Sequence, residues 1–157
     1  MEAVDNYIYI LNVRFAGDIH FSKKVECDVE NVRVPSMILQ PVVENAVNHG
    51  IRNIDWEGHI NLSVERWDDH IEISVLDNGL GMTREQIERV LSKKVHSSSG
   101  EGDSTGIGMN NVISRLELYY ERDGLMEIYS EGEGMGTEVV INIPLERSEK
   151  NVQNPAC

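Results

Sequence analysis

Three short segments in a fixed order limit what this chain can fold into: PVVENAVNHG (Pro41 to Gly50), DNGLGM (Asp77 to Met82) and STGIGMNN (Ser104 to Asn111). The first reads as a helix with one polar, amide-bearing face, the second as a strand end turning through Asp-x-Gly-x-Gly, and the third as a glycine loop that opens another helix. Each alone has an ordinary explanation: a solvated helix face, a tight turn and a loop-to-helix junction. In combination they demand alternating helices and strands, with the glycine segments gathered around one ligand. Ten of the 13 glycines lie between Gly79 and Gly136, which concentrates backbone freedom in the second half, where the ligand loop is expected.

Hydrophobic periodicity supplies the remaining elements. Residues from about Val4 to Val13 (Val4, Ile8, Leu11) read as the end of a helix, and Ile19 to Asp28 as a strand. Pro35 to His49 carries Ile38, Leu39, Val42, Val43, Ala46 and Val47 at helical spacing. Ile60, Leu62 and Val64, then Ile71, Ile73 and Val75, alternate with polar residues, giving two strands joined through Trp67, Asp68 and Asp69. Thr83 followed by Gln86 reads as a capping box opening a short helix with Ile87, Val90 and Leu91 inward. The stretch KKVHSSSGEGDSTG has no core-forming pattern and reads as a mobile lid; Met109, Val112, Ile113 and Leu116 restart a helix. Leu125 to Ser130 and Thr137 to Ile143 are the last strands, ended by Pro144, and Glu146 to Cys157 is a polar, frayed tail. The order describes a two-layer α/β sandwich in one domain.

Charge and composition exclude several classes. A formal charge of -13 opposes a nucleic-acid or anionic-membrane partner. No apolar run reaches the ~20 residues of a membrane span, and MEAVDNYIYI lacks signal-peptide features, so the chain is expected to be soluble. Cys27 and Cys157 form no framework and read as free thiols in a reducing compartment.

The three segments carry complementary chemistry. At about 100° per residue, Glu44, Asn45 and Asn48 fall on one arc with Pro41, opposite the apolar stripe. An amide oxygen suits Mg²⁺, which takes few protein ligands when phosphates supply the rest, and Asn45 is the candidate. Asp77, at a strand end, can accept a hydrogen bond from the exocyclic amine of adenine, where guanine presents a carbonyl. Gly79 and Gly81 let the backbone pass close under such a ring. Gly106-Ile107-Gly108 offers backbone amides and a helix N-terminus to phosphate, with Lys93, Lys94 and His96 either local positive charges or exposed residues without a ligand.

On these segments the chain resembles the GHKL, or Bergerat, ATP-binding fold in the version used by sensor histidine kinases. VPSMILQPVVENAVNHGI, DNGLGM, GIGMNNVISRL and GTEVVINIP resemble LytS/YesM-type kinases, and YIYILNVRF is similar to the helix preceding their catalytic domain. The resemblance runs from about Tyr7 to Leu145. It implies a mixed, about five-stranded sheet on three helices, with ATP and Mg²⁺ as cofactors. It also implies phosphoryl transfer to a histidine on a separate dimerisation domain of the same full-length protein, and from there to a response regulator. Residue by residue, it implies Asn45 as metal ligand, Asp77 as adenine reader, Gly79 and Gly81 as the first glycine pair with Met82 beside them, and Thr137 as the hydroxyl behind the base. Asn48 and His49 then belong to the phosphate end, with Thr105, Gly106, Ile107, Gly108 and Met109 forming the second glycine segment.

Three positions depart from the family. Pro41 stands where hydrolytic relatives place a water-activating glutamate, so efficient hydrolysis is not expected, and the adjacent Glu44 is the catalytic candidate for orienting the nucleophile. Asn48 stands where LytS/YesM relatives usually have a basic residue, so that phosphate contact is either weaker or supplied by His49 or Arg52 instead. None of His20, His49, His59, His70 or His96 has an NPHFLFN-like context, so the acceptor histidine is expected outside this chain. The implied organisation is the end of a dimerisation helix at 1–16, an ATP-binding domain at 17–146 and a disordered tail at 147–157. Such a fragment is expected to be a monomeric cytoplasmic piece of a homodimeric protein in the bacterial cell membrane. A serine kinase of the anti-sigma-factor type and a non-enzymatic ATP-gated binding module are the alternatives.

Overall fold

The structure, a computed structural model, describes Tyr9, Val13 and residues 19–26, 34–35, 37–92 and 104–145, with the backbone alone at 104–107. The elements in chain order are β1 (Ile19–Val25), α1 (Leu39–Asn45) continued by a π-helical turn (Ala46–Ile51), β2 (Gly58–Arg66), β3 (His70–Asp77), α2 (Arg84–Leu91), α3 (Ser104–Tyr120), β4 (Met126–Tyr129) and β5 (Thr137–Pro144). The five strands form one sheet in the order β1-β2-β3-β5-β4. β1 runs parallel to β2 and the other pairings are antiparallel, so the sheet is mixed.

Alternation along β2, β3 and β5 turns one face of this sheet into the core, and register lines the apolar residues up in rows. Leu62 faces Val75, Val75 faces Val139, and Val139 faces Ile128. The next row is Val64, Ile73, Ile141 and Met126. These side chains are buried in one cluster with Val42, Val43 and Val47 of the first helix and Met109, Val112 and Leu116 of α3. α1 packs on α3, α2 on α3 and β4, and the π-helical turn on β2 and β3, which gives the expected two layers. The row nearest the start of β5 is different: Ile60 faces Asp77, and Asp77 faces Thr137. An acid and a hydroxyl thus occupy core-facing positions at the end of an otherwise aliphatic grid.

The first helix begins at Leu39 rather than Pro35, because Met37 takes a positive φ of 63°, which no right-handed helix admits. It also extends past His49, widening to i→i+5 bonding, seen in Arg52 N donating to Val47 O at 3.0 Å. β1 ends at Val25, short of the expected Asp28. Thr83 and Gln86 form the expected reciprocal cap, with Gln86 N donating to Thr83 Oγ1 at 3.2 Å and Thr83 N to Gln86 Oε1 at 2.8 Å. Of the three α2 residues expected inward, Val90 is buried and Ile87 half-buried, whereas Leu91 is exposed in the last turn. Tyr9 and Val13 are helical and exposed; Val4, Ile8, Leu11, Lys93, Lys94, His96, the two cysteines and the tail lie outside the described residues. Among the described residues no helix is long and apolar enough to cross a membrane.

Candidate functional site

Asp77 is the centre of the site. It is the last residue of β3, in phase with Ile71, Ile73 and Val75, and only 3% exposed. The π-helical turn covers it: a Cβ on Gly50 would lie 2.7 Å from Asp77 Oδ1, so only a glycine lets the chain pass there. Gly79 N donates to Oδ1 at 2.8 Å. Burial pushes the Asp77 carboxyl up to about 6, against the backbone N–H groups of Gly79 and Thr137, which pull it down. Thr137, opposite Asp77 in the register, is also buried.

Residues 79–82 leave β3 as a strap held on both sides. Leu80 N donates to Gly50 O at 2.9 Å, fixing one edge to the π-helical turn. Gly136 N donates to Gly79 O at 3.1 Å and Gly134 N to Leu80 O at 2.6 Å, fixing the other edge to the β4–β5 connection. A Cβ on Gly79 would meet Gly50 O at 2.1 Å, so the strap is glycine there because two backbones touch. Gly136 combines a φ of +74° with a would-be Cβ 2.1 Å from Asp77 O. The expected reason for the strap glycines, clearance for a base, is thus joined by a tighter one from the protein itself. Asn78 does not make a free turn either. Its Oδ1 accepts from His59 N at 2.7 Å, its Nδ2 donates to Glu57 O at 2.9 Å, and its carbonyl accepts from Trp56 Nε1 at 2.8 Å. These bonds latch the strap to the start of β2.

The helices α1 and α3 form the opposite side. A Cβ on Gly108 would lie 3.9 Å from Pro41 Cβ, which brings the expected phosphate segment against the expected metal-ligand face. Asn45 Oδ1 is buried and has no hydrogen-bond partner among the described residues. A buried amide oxygen left in that state costs free energy unless something binds it. It therefore fits a hard cation at this position. Asn110 Oδ1, on α3, is the second such atom. Glu44 shares the half-buried edge and accepts from Gln40 Nε2 at 3.0 Å.

Most of the expected set is brought together, with two corrections. α3 begins at Ser104, not at Met109, so Thr105, Gly106, Ile107 and Gly108 are helical rather than a loop. Only the first four amides of a helix lack an internal acceptor. The N–H groups of Gly108 to Asn111 are thus committed to the helix, and what α3 can offer an anion is the first turn of its backbone. The change to π-helical winding at Ala46 moves Asn48 off the arc computed for an α-helix: it is exposed, where Glu44 and Asn45 are half-buried and His49 is half-buried. Gly81 and Met82 sit in the strap, but Met82 reaches its place through a bond from its N to Ser130 Oγ at 3.0 Å. Sequence reasoning missed Gly50, Asn78, Asn110, Ser130 and Gly136. The glycine triplet of GEGMG before Thr137 and the terminal glycine of the first segment were the available signals; nothing local marks Ser130 or Asn110.

Residues 33–147 match the family described as histidine kinase-, DNA gyrase B-, and HSP90-like ATPase. The chain is 26% identical over 158 residues to sensor protein LytS of Staphylococcus saprophyticus, covering 100% of this chain and 26% of that protein. It is 31% identical over 152 residues to sensor histidine kinase YpdA of Escherichia coli, covering 92% of this chain and 24% of that one. The chain thus spans about a quarter of the length of the curated relatives it matches. Among solved structures, the catalytic domain of histidine kinase ThkA aligns with a TM-score of 0.63 at 19% identity, over 88% of this chain and 90% of that one. The mycobacterial sensor histidine kinase MprB aligns with a TM-score of 0.63 at 21% identity, over 91% and 92%. These two likenesses bear on the fold alone, and they agree with the mixed five-stranded sheet on three helices.

Proposed function

Since the chain belongs to the histidine kinase-, DNA gyrase B- and HSP90-like ATPase family, we propose that it is the ATP-binding catalytic domain of a LytS-type sensor histidine kinase. It holds ATP for transfer to a histidine on a separate domain of the same protein, which passes the phosphoryl group to a response regulator. The observation that carries this reading is Asp77: a carboxylate in a core-facing position, covered by Gly50 and held by Gly79 N–H, with acceptor capacity left over. A buried acid in that setting needs a donor, and the exocyclic amine of adenine supplies one where guanine does not. Thr137, beside Asp77, offers the neighbouring hydroxyl.

Asn45 would hold Mg²⁺ through its unpartnered Oδ1, and the cation would neutralise phosphate charge within an acidic protein. The first turn of α3 would face the phosphates with its unpaired backbone N–H groups and the positive end of the helix dipole. Glu44 lies one position before Asn45, where it can orient the incoming nucleophile; Gln40 holds its side chain. Pro41 cannot activate water, which favours transfer over hydrolysis. The protein's work is positioning and electrostatics, with no covalent step on this chain. In this reading the chain is the cytoplasmic part of a larger membrane-anchored kinase, and it spans about a quarter of the length of the relatives named as sensor proteins.

The test pairs the purified chain and γ-labelled ATP with a LytS-type histidine domain. Acid-labile, base-stable label on that domain is expected. Acid-stable label points to a serine kinase, and Mg-ATP binding without transfer to any histidine domain points to a binding module; either result overturns the histidine-kinase reading.

A further inference from the structure

The strap at residues 79–82 is hydrogen-bonded to the π-helical turn and the β4–β5 connection, and among the described residues one side chain ties its far end. Ser130, the residue after β4, accepts from Met82 N at 3.0 Å and donates to Gly136 O at 2.6 Å. It also lies 3.4 Å from Gly132 N, and a Cβ on Gly81 would come within 3.0 Å of its oxygen. One hydroxyl therefore joins Met82 to Gly136, and Gly136 N in turn binds Gly79 O. The chain of contacts closes a ring: strap, hydroxyl, connection and back to the strap beside Asp77. Backbone bonds at Gly79 and Leu80 fix the strap's start; among the described residues Ser130 Oγ is the acceptor for Met82 N, so its loss unties that end of the strap from the β4–β5 connection.

We propose that Ser130 is a positioning residue for the nucleotide base: it acts through Met82 and Gly136 to hold the strap at the spacing from Asp77 that an adenine ring requires. The inference rests on the nucleotide reading above. Among the described residues the hydrogen-bond partners of Ser130 are all in the strap and the β4–β5 connection. Its effect on binding is therefore independent of the cation, unlike that of Asn45.

Ser130→Ala and Ser130→Thr, made in the whole chain, separate this role from a general loss of stability. Calorimetry with ATP is run with Mg²⁺ and with excess chelator, alongside amide exchange of the free protein. Ser130→Ala is expected to weaken ATP about five- to tenfold, by the same factor in both media, and to speed exchange at Met82. Ser130→Thr, which keeps the hydroxyl, is expected to restore both to within about twofold. Unchanged affinity or unchanged Met82 exchange in Ser130→Ala, a loss seen only with Mg²⁺, or equal impairment in the Thr variant overturns the assignment. If the unsubstituted chain binds no ATP, the nucleotide reading itself fails, and the role of Ser130 falls with it.

Discussion

Replacing Asp77 with Asn should make the nucleotide-free protein more stable while removing its ligand. In the fold, burial pushes the Asp77 carboxyl from 3.8 to about 6. A group whose folded pKa lies above its unfolded value binds its proton more tightly in the fold, so stability falls as pH rises through that window. Below about 4 there is no cost; above about 6 it is complete, at about 3 kcal/mol. An asparagine carries no charge to desolvate, and its Oδ1 can still accept from Gly79 N. Its amide nitrogen cannot accept from Thr137 N, which returns about 1 kcal/mol. The net gain is about 2 kcal/mol, or about 4–8 °C in Tm for a domain of this size. Thermal unfolding of both proteins between pH 4 and pH 8, without nucleotide, should show the gap opening between about pH 4 and pH 6 and staying constant above. Calorimetry at neutral pH should show ATP binding lost in the variant. A variant less stable than the parent at pH 7.5, or a pH-independent gap, refutes the electrostatic account of the site; unchanged ATP affinity refutes the adenine assignment.

ATP affinity of the unsubstituted chain should fall as pH drops below about 6, because protonation turns one acceptor oxygen of Asp77 into a donor and removes the charge that strengthens the bond to the amine; a flat titration from pH 7 to pH 5 contradicts this. Asn45→Ala should weaken ATP about tenfold in Mg²⁺, equivalent to about 1.4 kcal/mol, and leave binding in chelator unchanged, both read by calorimetry. Gly136→Ala forces a Cβ to 2.1 Å from Asp77 O at a φ of +74°, so a loss of at least about 2 kcal/mol in denaturant unfolding is expected. Thr83→Ala breaks the capping box of α2 at a cost of about 1 kcal/mol, visible as a lower Tm with ATP affinity intact.

Alternation in β2 and β3 was legible because the side-chain period of a strand is local, and it carried Asp77 inward along with Val75. The capping box at Thr83 was legible for the same reason: its two bonds span three residues. The ends of the first helix were not, since no local pattern marks Met37's positive φ or the widening at Ala46. Asn48 illustrates the consequence, because an arc computed for uniform α-helix cannot survive a change of winding one residue after Asn45.

The sequence alone determined the layers, the strand phases and the chemical identity of the groups proposed to meet a ligand: an amide oxygen at Asn45, a carboxylate at Asp77, and glycines where chains must pass closely. These follow from short-range periodicity and from what each side chain can donate or accept. Only the tertiary structure decided how the groups are held. Gly50, Asn78 and the connection from Ser130 to Gly136 are distant from one another in the chain, and they converge on Asp77 and its strap through sheet register and backbone-to-backbone contact, which no local pattern encodes. The raised pKa of Asp77 belongs to the same class, because it is a property of the enclosure and not of the residue.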